Sequence, residues 1–303
     1  MKKTLPSITI GIPAYNEEAN IGVLIAAILK QETNGYILKN IIVCSDGSDD
    51  NTKKIVLDYH DNRIVFVDNK SRKGQAFRQN QIIEMANTDV LVLLNADILL
   101  VGKSFIATLI RPILSQKADL TSSGLSTTQP STYLGRVFCM SFQVRNEMFD
   151  AYRLGNNLYT CHGAARAFSK PFYSKLRFQD SVAEDAYSYL SCISQEYVYK
   201  YCPSARVLIK WPDNIQDHYR QSVRFFKSKN ILASKFSSEL INNSYFLPTK
   251  MVMTQVARFF RTNPLYAATY LIIFIGISVI TRLNKFESNN SVWTISKSSK
   301  KLI

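Results

Sequence analysis

The chain has 303 residues, 46% of them hydrophobic, and its 37 Lys+Arg against 23 Asp+Glu give a formal net charge of +14 at pH 7. The length admits one sizeable α/β core with an appendage, and the charge predicts anionic partners: nucleic acid, membrane phospholipid or a nucleotide diphosphate. No nucleic-acid module or zinc spacing accompanies the charge, which sets nucleic acid aside in favour of the membrane. The five cysteines, Cys44, Cys139, Cys161, Cys192 and Cys202, are odd in number and dispersed, so they read as reduced thiols facing a cytosol.

An alternating strand from Ser7 to Ile12 opens the chain and ends in Pro13-Ala14-Tyr15-Asn16-Glu17-Glu18. Helical apolar spacing follows from Ala19 to Lys30. A buried strand from Asn40 to Cys44 ends in Ser45-Asp46-Gly47-Ser48-Asp49-Asp50-Asn51-Thr52. Gly47 permits a tight turn there, and Asp50 or Asn51 caps a helix predicted from Thr52 to Tyr59. A strand at Arg63 to Val67 and a helix at Gly74 to Ala86 lead to Val90-Leu91-Val92-Leu93-Leu94, an apolar run that stops abruptly at Asn95-Ala96-Asp97. A buried strand that delivers a carboxylate to its C-terminal end places a hard oxygen ligand where open α/β folds bind ligands, which suits a divalent metal holding a diphosphate. Taken alone, Asp97 fits better the plain role of capping the helix that follows. The alternation of strands and helices implies a mainly parallel central sheet flanked by helices, with Asp46 and Asp97 both at its carboxyl edge. From about Asp119 to Lys210 the pattern is mixed. It contains Cys161-His162-Gly163-Ala164-Ala165-Arg166-Ala167-Phe168 and the helix start Ala183-Glu184-Asp185-Ala186, and Gln221-Ser222-Val223-Arg224-Phe225 follows.

In this order and with these separations the segments resemble the family 2 glycosyltransferases, whose catalytic domain has the GT-A fold, from about Ser7 to Phe225. Pro13 to Glu17 matches the family's Pro-x-Tyr-Asn-Glu, Asp46 to Thr52 its Asp-Gly-Ser-x-Asp-x-Thr turn, and Lys73 to Phe77 its Lys-Gly-x-Ala-hydrophobic element. Asn95 to Asp97 falls on the Asp-x-Asp metal motif, Glu184 and Asp185 on the pair that carries the catalytic base, and Gln221 to Phe225 on Gln-x-x-Arg-Trp. Cys161 to Phe168 resembles the small-residue loop on the acceptor side.

The resemblance implies an inverting transfer of sugar from a nucleotide-diphosphate sugar to a hydroxyl of a glycan or lipid-linked acceptor, in cell-surface polysaccharide or glycolipid synthesis. It assigns donor binding to Pro13, Tyr15, Glu17, Asp46, Lys73, Asn95, Ala96 and Arg224, with Asp46 on the nucleobase. It also assigns Mg²⁺ or Mn²⁺ to Asp97, the general base to Asp185, and the acceptor or diphosphate to Glu184, Gln221 and Phe225. Positive charge at the diphosphate would come from Arg224, with Lys73 and Arg78 as further candidates. Two departures stand out. Asn95 replaces the first metal-motif Asp, which predicts weakened metal dependence, and Phe225 replaces Trp, which keeps a stacking face and loses a donor. Plain structural roles compete at each position: an Asx turn for Asp46, a helix-start carboxylate for Asp185, hydrogen-bonded packing for His162 and His218. Alternatives for the whole chain are a polyprenyl-phosphate sugar transferase and a catalytically inactive nucleotide-sugar-binding protein. A nucleotidyltransferase would want a Gly-rich phosphate loop, which Pro13 to Glu18 is not.

After a catalytic domain at 1–235, the segment 236–263 is amphipathic, with Val252, Val256, Phe259 and Phe260 at helical spacing among Lys250, Arg258 and Arg261. Residues 264–281 read as a transmembrane helix, uncharged from Leu265 to Ile280; at ~1.5 Å per residue this is the short end of what crosses a hydrocarbon core of ~30 Å. The competing reading is a core or dimerisation helix. The remainder, 282–303, is a basic polar tail, so positive charge flanks the span on both sides and the orientation rule is undecided. Nothing at Met1 to Pro6 resembles a signal peptide, which places the expected enzyme on the cytoplasmic face of the cell membrane.

Overall fold

The computed structural model describes residues 4–179 and 183–283, so the predicted tail lies outside the described residues from 284 onward. Among the described residues one mixed sheet is built from β1 Ser7–Ala14, β2 Ile37–Asp46, β3 Ile64–Asn69, β4 Val90–Leu94, β5 Leu99–Leu100, β6 Leu120–Thr127, β7 Ala165–Ser169 and β8 Tyr199–Ile209. Their order is β3-β2-β1-β4-β7-β6-β8-β5. The first four strands run parallel, as the alternation predicted, while β7 is antiparallel to both β4 and β6, and β8 is parallel to β6.

Every residue of β4 is buried. Its side chains alternate between two cores: Val90, Val92 and Leu94 face the helices Ile21–Leu29 and Phe105–Leu114, whereas Leu91 and Leu93 face the opposite layer. A strand covered on both faces must read as a continuous apolar run, which is why Val90 to Leu94 carries no polar alternation. The helix Gln75–Met85 lies so close to β1 that a Cβ added at Gly11 would sit 2.3 Å from Ile82 Cγ2.

Two features position the site. Between β1 and β4 the strand order reverses, which opens a crevice at their carboxyl ends. The antiparallel partner β7 then starts at that same edge, with Ala165 paired to Leu94, so the loop ahead of β7 closes one wall of the crevice.

The segment 236–263 forms two helices, Ser238–Tyr245 and Thr249–Thr262. Ile241 of the first is buried in the second core beside Tyr245, so that helix packs as part of the sheet body. The last helix, Pro264–Leu283, contains a stretch, Pro264–Thr281, long and apolar enough to cross a membrane, and only 11% of that stretch is buried. Its first turns dock on the body: Thr269 Oγ1 lies 2.9 Å from Tyr133 Oη, and the Tyr270 ring meets His218 edge-on at 5.9 Å.

Candidate active site

The loops after β1 and β2 are joined by hydrogen bonds. Asn16, in the left-handed region at φ 52°, donates from Nδ2 to Asp49 Oδ1 at 2.6 Å and accepts from Asp49 N at 3.0 Å. Asn tolerates that conformation because its short amide bonds locally. Glu17 N donates to Thr52 Oγ1 at 2.8 Å. The Glu17 carboxylate, buried under the loop, accepts from Asn20 Nδ2 at 2.9 Å, so it faces inward from the crevice. Tyr15 is half-buried, with the Arg72 guanidinium 4.1 Å above its ring. Pro13 closes β1 beside Cys44, whose thiol burial pushes up to about 12.

Asp46 ends β2, and protein groups engage both of its oxygens. Oδ1 accepts from Lys73 N at 2.8 Å and from Arg78 Nε at 2.8 Å, and Oδ2 accepts from Gly74 N at 2.9 Å. The ion pair is shut away from water, with Arg78 and Asp46 side chains 2% and 7% exposed. Asp46 therefore clamps the Lys73-Gly74 turn onto the sheet, and Arg78 is spent on that clamp instead of facing the crevice. Gly47 makes the turn possible: at φ 78° it is left-handed, and a Cβ there would lie 3.3 Å from Arg72 N. Lys73 itself is exposed, its Nζ 4.5 Å over the Phe77 ring.

At the end of β4, Asn95 Oδ1 accepts from Gln75 Nε2 at 2.9 Å while Asn95 N donates to Ala164 O at 2.9 Å. Ala96 is buried in the first core, so only its backbone reaches the crevice. Asp97 is half-buried. The carboxylate pair arrives from the opposite side, on the first turn of the helix Glu184–Ser194. Gly163 is where they meet: a Cβ built on it would lie 3.7 Å from Glu184 Oε1 and 4.0 Å from both Asn95 Nδ2 and Asp185 Cβ. Motifs almost ninety positions apart in sequence thus share one small space.

The two carboxylates differ in setting. Asp185 Oδ1 accepts from Ala186 N at 2.8 Å, a bond to the helix N-terminus. Desolvation and then the charge of Asp185 push the Glu184 carboxyl above the usual range, against the pull of Arg166 and Arg224. Because the folded state holds this proton more tightly than the unfolded chain, Glu184 costs stability as pH rises from the ordinary carboxylate range through its raised value. Glu184→Gln should therefore melt a few degrees higher than wild type at pH 8 and at the same temperature at pH 4. A melting point lowered at both would make Glu184 a stabilising ion-pair partner of Arg166 or Arg224.

Arg224 and Phe225 are exposed on the helix Ile215–Ala233, with Gln221 half-buried one turn earlier. Arg224 is near enough to act electrostatically on Glu184, and the Phe225 ring lies 6.5 Å from Tyr159. His162 Nε2 is 2.6 Å from Ser123 O; a carbonyl only accepts, so the proton is on Nε2, and burial lowers the ring to about 4, leaving it neutral at pH 7. His218, also lowered to about 4 by burial, stacks on Phe138 at 4.1 Å.

One charged residue escaped the sequence reading. Arg166 is 0% exposed, donates from Nη1 to Glu184 O at 2.9 Å and to Ser188 Oγ, and lies behind the carboxylate pair with Phe168 and Phe178 around it. The available signal was an arginine amid the small and apolar residues of β7, where a charge is expensive without partners.

Residues 9–177 match the profile of Glycosyl transferase family 2. Among characterised proteins, the chain is 34% identical over 90 residues to a UDP-Glc:alpha-D-GlcNAc-diphosphoundecaprenol beta-1,3-glucosyltransferase of Escherichia coli, covering 30% of this chain and 34% of that one. It is 23% identical over 218 residues to a poly-beta-1,6-N-acetyl-D-glucosamine synthase of Staphylococcus epidermidis, covering 71% of this chain and 52% of the synthase. The matched stretches thus span about a third and about a half of those relatives. In fold, the chain resembles a mannosyltransferase of Pyrobaculum calidifontis, solved with GDP-Man and Mn2+, at TM-score 0.59 and 17% identity, over 92% of this chain and 83% of that one. With the profile matching more than half of its length and the sheet matching the GT-A arrangement, this chain belongs to glycosyltransferase family 2.

Proposed function

We propose that the chain transfers a sugar, with inversion, from a nucleotide-diphosphate sugar to a hydroxyl of a lipid-linked or glycan acceptor at the cytoplasmic face of a membrane. The observation that carries this reading is the convergence on Gly163 of Asn95, from the end of β4, with Glu184 and Asp185. Asp185 is the general base: with Oδ1 held by Ala186 N, its other oxygen takes the acceptor's hydroxyl proton as that oxygen bonds to the anomeric carbon. The bond from that carbon to the diphosphate breaks on the opposite face, and the nucleoside diphosphate leaves. Glu184, within the electrostatic reach of Arg166 and Arg224, orients the acceptor. Tyr15, Lys73 and Arg224 line the donor side, and Asp46 acts there through the Lys73-Gly74 turn it holds.

A divalent cation fits this site in one way. Among the described residues no group of three or more His, Cys, Asp or Glu side chains forms a cage for an ion. A cation held by Asp97, with its other ligands from diphosphate and water, matches the coordination Mg²⁺ favours. Bound so, it would neutralise charge growing on the leaving diphosphate. On this proposal the transferase runs through Tyr245, which packs on the second core, and is followed by a membrane-surface helix at Thr249–Thr262 and a span at Pro264–Thr281.

The test is nucleoside diphosphate release by detergent-solubilised protein across a panel of nucleotide sugars, with Mn²⁺, Mg²⁺ or chelator. One donor should turn over, chelator should lower release, and Asp97→Ala should lower it about 10²-fold or more, the scale of a lost electrostatic stabiliser of the leaving charge. Full activity in Asp97→Ala would remove Asp97 from the metal role, and no donor binding at all would overturn the transferase reading.

A further inference from the structure

Between the sheet edge and the apolar C-terminal helix lies a cavity of about 230 Å³ that the proposed transfer leaves unused. Thr127, Thr128 and Gln129, where β6 runs out, form its polar wall, Arg136 adds charge, and Met140 and Tyr266 form an apolar wall. Arg136 is exposed, and its Nη1 donates to Ser131 O over a long 3.4 Å. Tyr266 stands at the start of the membrane-spanning helix, and beyond it Ile272, Ile275 and Val279 are 73%, 53% and 49% exposed. The lining therefore passes from hydrogen-bond donors through a guanidinium to an apolar helix surface, the sequence of groups along a phosphate-headed lipid.

Its position relative to the carboxylates is set by β6. Ser123 of this strand accepts the bond from His162, the neighbour of Gly163, and Thr127 lies four residues further along the same strand. At ~3.3 Å per residue Thr127 lies roughly 13 Å along the strand from Ser123. A single sugar joined to a diphosphate spans a gap of that order. We propose that this cavity holds the diphosphate and first isoprene units of a polyprenyl-diphosphate-linked sugar acceptor, with Arg136 on the diphosphate and Tyr266 and Met140 on the lipid. The inference rests on the transferase reading for its acceptor, while the cavity's ligand is testable without turnover.

The full chain in phosphatidylcholine nanodiscs would be photolabelled with a benzophenone derivative of geranylgeranyl diphosphate, and the labelled peptides mapped. Label is expected within residues 127–143, displaced by unlabelled geranylgeranyl diphosphate but not by geranylgeraniol or phosphatidylglycerol. Arg136→Glu should weaken labelling about tenfold or more, the scale of one lost charge-assisted hydrogen bond. Met140→Trp, which fills the apolar wall and keeps the charge, should do the same if the lipid lies there. In transfer assays with a polyprenyl-diphosphate-linked N-acetylglucosamine, both variants should raise KM for the acceptor about tenfold, while acceptor-free nucleoside diphosphate release stays within about twofold. Labelling of the cavity without donor turnover would support the lipid site and sink the transferase reading. Turnover with an unchanged acceptor KM in both variants, or equal displacement by phosphatidylglycerol, would overturn the proposal.

Discussion

Asp185→Asn should lower kcat for transfer about 10²- to 10⁴-fold, the range a positioned general base supplies, while leaving the donor Kd close to that of wild type. The substitution is nearly isosteric, and the Asn oxygen still accepts from Ala186 N at the helix start, so the crevice keeps its shape. What is lost is the Asp185 oxygen able to take a proton there. A second consequence follows from the pair: with its negative neighbour gone, Glu184 loses part of the upward push on its carboxyl and ionises more readily. Stopped-flow or steady-state rates, together with donor titration calorimetry, separate the two effects. If Asp185→Asn kept most of its activity while Glu184→Gln lost it, the base would be Glu184, whose carboxyl burial raises.

Arg78→Met should destabilise the protein by about 3–5 kcal/mol, because removing one partner of a buried ion pair strands the other charge. Asp46, 7% exposed at its side chain, would keep the Lys73 and Gly74 amides but lose the Arg78 guanidinium that neutralises it. Urea unfolding of the solubilised protein reads this directly. The double variant Arg78→Met with Asp46→Asn should recover part of the loss, since no uncompensated charge then remains, and the cycle isolates the pair. If Asp46→Asn alone weakened donor binding with unfolding unchanged, Asp46 would be a nucleobase ligand first and a clamp second.

Much of this was readable along the chain, and the reason differs by region. Val90 to Leu94 matches the predicted strand at both ends, the strands predicted at Ser7 and Asn40 lie within the observed ones, and the one predicted at Arg63 begins one residue before the observed Ile64–Asn69. Parallel strands buried on both faces must be apolar throughout, and the polar residues that end them must stand at the sheet's carboxyl edge, so Asp46, Asn95 and Asp97 were placed by local sequence alone. The second half was mixed in sequence for an equally physical reason: the buried β6 is largely Thr, Ser and Gly from Thr121 to Gly124, so burial left no hydrophobic signal to read. The tertiary structure alone decided which charges are buried together. Asp46 and Arg78 are 32 residues apart and Arg166 meets Glu184 across 18, and nothing in the spacing distinguishes such partners from solvated neighbours. It also decided that the Glu184 carboxyl is raised, because desolvation depends on what the fold packs around a group, and side-chain identity does not record that.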